Sequence, residues 1–206
     1  MKNNTKPSSV SLLIIDESGS MSGMNSYVLE TYSGIRTEIE NEKNEFPELT
    51  QYLSVWTFES NNIIERLPFT EVNAETMRSI AYKPAGGTPL FDAMGKSLTR
   101  LKDKLDSMGL NEENCRVGVA IITDGEENAS RNYSAAEIRL LVEQLQRQGW
   151  EFTYYGTDHD VKQMAERMAI YKHTAYEKNA AGYNVLRQRQ IAEEKSAKLN
   201  FLKKFK

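Results

Sequence analysis

Two short apolar runs in this chain each end on an aspartate, and that pairing sharply limits the folds open to it. Val10-Ser11-Leu12-Leu13-Ile14-Ile15 leads into Asp16, and Val117, Val119, Ala120, Ile121 and Ile122, within residues 116–123, lead to Asp124. Runs of this length without a polar face suit strands buried on both sides, as in a parallel sheet covered by helices. Elsewhere the hydrophobic period changes. Val28, Tyr32, Ile35 and Ile39 mark one face of a helix that fades before Pro47. Residues 52–58 and 63–67, joined by the polar link Glu59-Ser60-Asn61-Asn62, read as a hairpin. Residues 73–80 are a candidate short helix capped by Asn73. Leu90, Met94, Leu98, Leu101 and Leu105 line a longer helix, with Pro89 at its first position and Thr88 as its cap.

The second half continues the alternation. Ser134 and Glu137 form a capping box for a helix carrying Ile138, Leu141, Val142 and Leu145, and Gly149 stops it. A strand over 152–155, a helix over 161–170, a weak edge strand over 172–176 and a last helix over 180–202 follow. Strands alternating with helices predict a single three-layer, doubly wound α/β domain over residues 1–206. Its central sheet is mostly parallel with one antiparallel hairpin strand, and helices cover both faces. A polar segment, 1–9, opens the chain, and a helix with a basic tail, 180–206, closes it. Right-handed crossovers put the ends of the first and fourth strands on one rim, where open sheets of this kind bind ligands.

Composition narrows the function. The 206 residues carry a net charge of −3, which argues against bulk electrostatic binding to nucleic acid or anionic lipid. One cysteine, Cys115, excludes an intrachain disulfide framework and fits a reducing compartment. The first apolar run is too short for a signal peptide or a membrane span, so a cytoplasmic location is expected.

Three loops converge on the rim: Asp16-Glu17-Ser18-Gly19-Ser20, Gly86-Gly87-Thr88-Pro89 and Thr123-Asp124-Gly125-Glu126. They offer carboxylates and hydroxyls and neither histidine nor cysteine, a donor set that selects Mg²⁺ or Mn²⁺, with Ca²⁺ less favoured, over zinc or copper. Taken singly, each loop has a plainer explanation: a loop before a helix capped by Ser22 or Asn25, a turn with a helix cap, and a simple turn. Their joint placement at strand ends favours a metal.

Other motifs carry less. Gly95-Lys96-Ser97 imitates the end of a phosphate-binding loop, but Leu90 stands where its first glycine belongs and the segment lies in a helix. Asp158-His159-Asp160 is explained by an acid-rich helix N-terminus. His173 reads as structural, Cys115 as a quiet thiol, and Trp56 and Trp150 as packing residues. The basic end, with Phe201, Leu202 and Phe205, reads as a helix packed on the sheet, with a docking helix as the alternative.

Asp16-x-Ser18-x-Ser20, then Thr88, then Asp124-Gly125 resembles the metal-ion-dependent adhesion site of von Willebrand factor A domains, and is similar in wording to intracellular bacterial and phage members. The resemblance implies that Ser18 and Ser20 ligate the metal directly and Thr88 directly or through water, with Asp16 and Asp124 acting mostly through bound waters. Met21, Pro89 and Glu126 are the expected partner-binding rim. It further implies a protein-binding adaptor or scaffold module that grips an Asp or Glu of a partner protein through the ion; from the charge and the short apolar runs, no nucleic acid and no membrane are expected as partners. The helix N-terminus after Thr88 is expected to add positive potential. The alternative is a metal-dependent phosphohydrolase on the same rim. That chemistry wants a nucleophile, a base such as Glu17 or Glu126 and a cationic partner, and Ser18 stands where a second acid would be needed.

Overall fold

The computed structural model describes residues 6–60, 62–73, 79–157 and 160–205. Strand β1 (Ser8–Asp16) begins inside the segment expected to be a polar leader. Ser8 and Ser9 are buried because they pair with Thr50 and Gln51 on one side and with Cys115 and Arg116 on the other. Helix α1 (Asn25–Glu45) follows, with Val28, Tyr32, Ile35 and Ile39 all buried as their spacing predicts. The hairpin is longer than the apolar pattern suggested, β2 (Thr50–Glu59) against β3 (Asn62–Glu71). The ladder shifts register around Val55, near Pro68, which sits on the edge strand where a missing N–H is tolerated. The helix expected over 73–80 falls largely outside the described residues.

The remaining elements are α2 (Leu90–Ser107), β4 (Cys115–Ile122), α3 (Ala135–Arg147), β5 (Trp150–Gly156), α4 (Val161–Arg167), β6 (His173–Ala175) and α5 (Ala180–Leu202). Ser134 and Glu137 make both bonds of the capping box. The sheet runs β3-β2-β1-β4-β5-β6, parallel throughout except for β2 with β3. From β1 the chain winds outward to β2 and β3, then returns to β4 on the other side of β1. The crevice between the carboxyl ends of β1 and β4 is therefore the point at which the winding reverses.

Alternation along β1 divides the core between the faces. Val10, Leu12 and Ile14 join the layer under α2, α3 and α4, while Leu13 and Ile15 join the layer under α1 and α5. The second layer also contains charge. Arg116 of β4 is buried between Glu194 of α5 at 2.8 Å and Glu151 of β5 at 2.7 Å, and Ser11 donates to Glu194 at 3.2 Å. Burial pushes Glu194 up, but Arg116 and then Lys198 outweigh it and hold the carboxyl below its usual range. One helical turn on, Lys198 of α5 pairs with Glu42 of α1, both side chains almost fully buried. Beyond them Phe201 and Leu202 close over Phe46 and Leu49, so the basic end of the chain packs as a helix on the body of the fold.

Removing one member of a buried pair leaves an uncompensated charge, which is worse than removing both. Lys198→Met is expected to destabilise the protein by about 3–5 kcal/mol, and adding Glu42→Leu to restore most of that loss. Urea denaturation of the two variants checks this; additive losses would show that the pair does not anchor α5.

Candidate functional site

Asp16 is the last residue of β1, in register with Phe58 of β2, and has no exposed surface. Its Oδ1 accepts the Ser18 amide at 2.7 Å and its Oδ2 the Thr123 hydroxyl at 2.6 Å. The first bond folds the loop back immediately after the strand, the local turn that an aspartate promotes. The Ser18 and Ser20 hydroxyls lie 3.0 Å apart, and Ser20 donates to Asp124 Oδ1 at 2.6 Å. A single turn of tight helix over Gly19–Met21 keeps the two serines on one side. Gly19 eases a close approach: its amide donates to the Gly86 carbonyl at 2.9 Å, and a Cβ there would sit 3.2 Å from that oxygen. Gly86 in turn has φ of +64°, which favours glycine.

Thr88 completes the arrangement. A Cβ placed on Gly125 would lie 3.2 Å from Thr88 Oγ1, 3.4 Å from Ser20 Oγ and 3.9 Å from Asp16 Oδ2. Oxygens from all three loops thus surround one small space, which the missing side chain of Gly125 keeps open. The five sequence-predicted residues Asp16, Ser18, Ser20, Thr88 and Asp124 are brought together there.

The two carboxylates are compensated unequally. Burial pushes Asp16 up to about 6, against the lowering effect of its bonds to Thr123 and Ser18, and nearby Asp124 adds to the rise. Asp124 Oδ2 is buried and accepts no hydrogen bond, but the Lys178 ammonium lies 3.0 Å from it. The contact is therefore an ion pair without hydrogen-bond alignment.

Several residues organise the site in ways that the sequence did not announce. Glu17 is buried and holds its loop in three directions: its carboxylate accepts Arg66 Nη2 of β3 at 2.7 Å and the Lys83 amide, and its carbonyl accepts the Ala85 amide at 2.9 Å. Tyr82 donates to the Asp16 carbonyl at 2.6 Å, and Tyr176 to the Thr123 carbonyl at 3.4 Å. Their partners are distant in sequence, so no local pattern announces them. Asp92, in the first turn of α2, is a partial exception, since an acid there matches the helix dipole. Burial pushes it up, but hydrogen bonds from the Arg131, Asn132 and Tyr133 amides and the Asn132 side chain hold it below the usual range.

The start of α2 corrects two expectations. Pro89 is the cap position and Leu90 the first helical residue, and no side chain of the cap bonds the helix. Thr88 does not cap. The third loop does: Asn128 accepts the Thr88 amide at 2.8 Å, Glu127 the Phe91 amide at 2.9 Å and Ser130 the Asp92 amide at 3.0 Å. This leaves the Thr88 hydroxyl to face the cluster, and it places a carboxylate where unsatisfied amides and positive potential were expected. The rim is also smaller than expected. Met21 is fully buried in the layer with Val28 and Tyr32, and Pro89 is buried; Glu126 alone of the three is exposed.

The remaining candidates resolve structurally. Gly95 gives room to the Tyr133 ring, Lys96 binds the Ile63 carbonyl at 2.9 Å and Ser97 binds back to Ala93, so that segment is helix packing. Asp158 and His159 lie outside the described residues, while Asp160 caps α4 by accepting the Gln163 amide at 2.8 Å. His173 is half-buried on edge strand β6, and Trp56 and Trp150 are buried. Burial pushes the Cys115 thiol up to about 12, so it is unreactive.

The donor set suits a hard divalent cation. Neighbouring ligands of an octahedral Mg²⁺ at about 2.1 Å stand about 3 Å apart, close to the separations among Ser18, Ser20 and Asp124. Among the described residues no three His, Cys, Asp or Glu side chains group as for a metal. This site contains two carboxylates and reaches five oxygen donors only by counting hydroxyls.

No family model matches the sequence, and no curated protein does. Solved structures do match in fold. A von Willebrand factor type A protein from Catenulispora acidiphila is 13% identical with a TM-score of 0.66, covering 91% of this chain and 43% of that one. The SpRpn10 VWA domain is 11% identical with a TM-score of 0.56, over 86% of this chain and 93% of that one. The pilus adhesin SpaC from Lactobacillus rhamnosus GG, in its open conformation, is 14% identical with a TM-score of 0.64, over 93% and 30%. The fold is that of von Willebrand factor A domains, and the chain spans less than half of the Catenulispora protein. Among the described residues no helix is long and apolar enough to cross a membrane.

A carboxyl held near 6 when folded and near 3.8 when unfolded favours folding below the lower value, and that contribution is lost as pH rises through 6. Without cation the charged Asp16 then costs roughly 3 kcal/mol at neutral pH. In EDTA, Asp16→Asn is expected to raise the melting temperature relative to wild type at pH 7.5 and to change it little at pH 4. Thermal scans at both values check the sign; an equal effect at both would show that Asp16 is not the titrating group.

Proposed function

We propose that this chain is a divalent-metal-dependent protein-binding module, an adaptor or scaffold of intracellular bacterial or phage type, that grips an acidic side chain of a partner protein. The observation that carries the proposal is the convergence of oxygens from Asp16, Ser18, Ser20, Thr88 and Asp124 on one space at the crevice between β1 and β4. Mg²⁺ or Mn²⁺ fits five side-chain donors better than Ca²⁺, which takes six to eight ligands. Hydroxyls supply most of the contacts and neutralise nothing. Asp16 and Asp124 hold the charge balance from behind, and a bound cation would supply a positive charge still attractive to a carboxylate from outside. A pilus adhesin among the proteins of similar fold accords with a binding role. The single cysteine accords with a cytoplasmic one.

We read the site as non-catalytic. Glu17, one of the two acids close enough in sequence to serve as a base, has its carboxylate committed to Arg66 and the Lys83 amide. Asp92 and Glu127 are likewise occupied by backbone amides.

Calorimetric titration with Mg²⁺ and Mn²⁺ tests the metal. Wild type is expected to bind one ion, Asp16→Ala none, and Gly125→Ala, whose methyl enters the space between Thr88 and Ser20, about 10–100-fold more weakly with the fold retained. Unchanged binding in both variants would place the ion elsewhere. Capture of partners from the native host in Mg²⁺ and in EDTA tests the grip, and identical partners in both would overturn it. Metal-dependent turnover of a phosphoester that is lost in Ser18→Ala would establish the hydrolase instead.

A further inference from the structure

The cluster already faces a cation supplied by the chain. Lys178 lies between β6 and Asn179, the N-cap of α5, and its Nζ is 3.0 Å from Asp124 Oδ2. The acid's side chain has no exposed surface, while that of the lysine is 27% exposed, so the ammonium reaches in from solvent. Asp124 Oδ1 is taken by Ser20, and Oδ2 accepts no aligned hydrogen bond. The pair is thus held by charge more than by directed bonding.

We infer that Lys178 is a built-in competitor for the metal: its ammonium neutralises Asp124 when no divalent ion is bound and withdraws when one is. The inference rests on the metal-dependent reading of the site. A divalent ion among the five oxygens and an ammonium on Asp124 repel each other, because both are drawn to the same buried carboxylate. The flexible stem of a lysine allows its head to swing into water, which a buried arginine fork would resist. The backbone on either side is anchored, since Tyr176 donates to the Thr123 carbonyl at 3.4 Å and the Asn179 side chain accepts the Gly182 amide at 2.8 Å. The exchange therefore moves one side chain and leaves α5 in place. Lys178 accordingly sets how much free metal is needed to fill the site, while itself ligating nothing.

The test is a Mn²⁺ titration by calorimetry at pH 7.5 on the full chain, comparing wild type with Lys178→Met, Lys178→Gln and Lys178→Arg, with circular dichroism to confirm folding. Lys178→Met and Lys178→Gln are expected to bind Mn²⁺ about tenfold more tightly, and Lys178→Arg no more tightly than wild type. In EDTA the two neutral variants are expected to melt lower than wild type, with Mn²⁺ removing the difference. Equal or weaker Mn²⁺ binding in the neutral variants, with wild type binding normally, overturns the role of Lys178 and leaves the metal site standing. No Mn²⁺ binding in any of the proteins removes the metal site and this inference with it.

Discussion

Asp16 is buried at the end of β1 with two neutral hydrogen-bond donors, the Ser18 amide and the Thr123 hydroxyl, and its carboxyl is pushed up to about 6. A buried carboxylate without a cation is expensive, and most folds avoid it. Here the surrounding structure fixes it in place. The Tyr82 hydroxyl holds its carbonyl, β2 pairs with its backbone, and the turn that it initiates brings Ser18 and Ser20 to the same side. A protein that keeps this penalty at neutral pH gains from any ligand that removes it.

The acids around the crevice fall into two groups that their hydrogen bonds distinguish. Glu127 accepts the Phe91, Ala129 and Ser130 amides and the Ser130 hydroxyl, Asp92 accepts four donors, and Glu17 is held by Arg66 and the Lys83 amide. These have few lone pairs left and act as staples between loops. Asp16 also accepts two donors, but both are neutral, and Asp124 accepts Ser20 and pairs with Lys178; these two turn toward the same space. By the chemistry of their side chains alone the five acids are interchangeable; what their oxygens face separates the staples from the pair at the shared space.

What was legible in the sequence was local or periodic. The apolar runs ending at Asp16 and Asp124 placed both acids at adjacent strand ends, and the Ser134 to Glu137 spacing fixed the start of α3 to the residue. The last helix was legible at both ends. The cap of α2 was misjudged because Thr88 and Pro89 fit the usual local pattern, while the true capping groups, Asn128, Glu127 and Ser130, arrive from a loop some forty positions on. Met21 was expected on the rim, but one turn of tight helix points it into the core. Lys178 was invisible for the same reason as Arg66: an ion pair between residues so far apart in sequence leaves no period to read.

Fold and site also have different standing. At 11–14% identity the solved proteins share with this chain a pattern of buried strands and covering helices, which many sequences satisfy. Of the three hydroxyls at Ser18, Ser20 and Thr88, that of Ser20 serves the fold directly, donating to the buried Asp124 carboxylate at 2.6 Å. None of the three belongs to a hydrophobic cluster, and a glycine at 125 leaves the space between them open. The space costs packing, the buried acids cost solvation, and Lys178 spends part of its surface offsetting one of them. Cost of this kind, concentrated at the point where the sheet reverses its winding, is the physical basis of the proposed cation site.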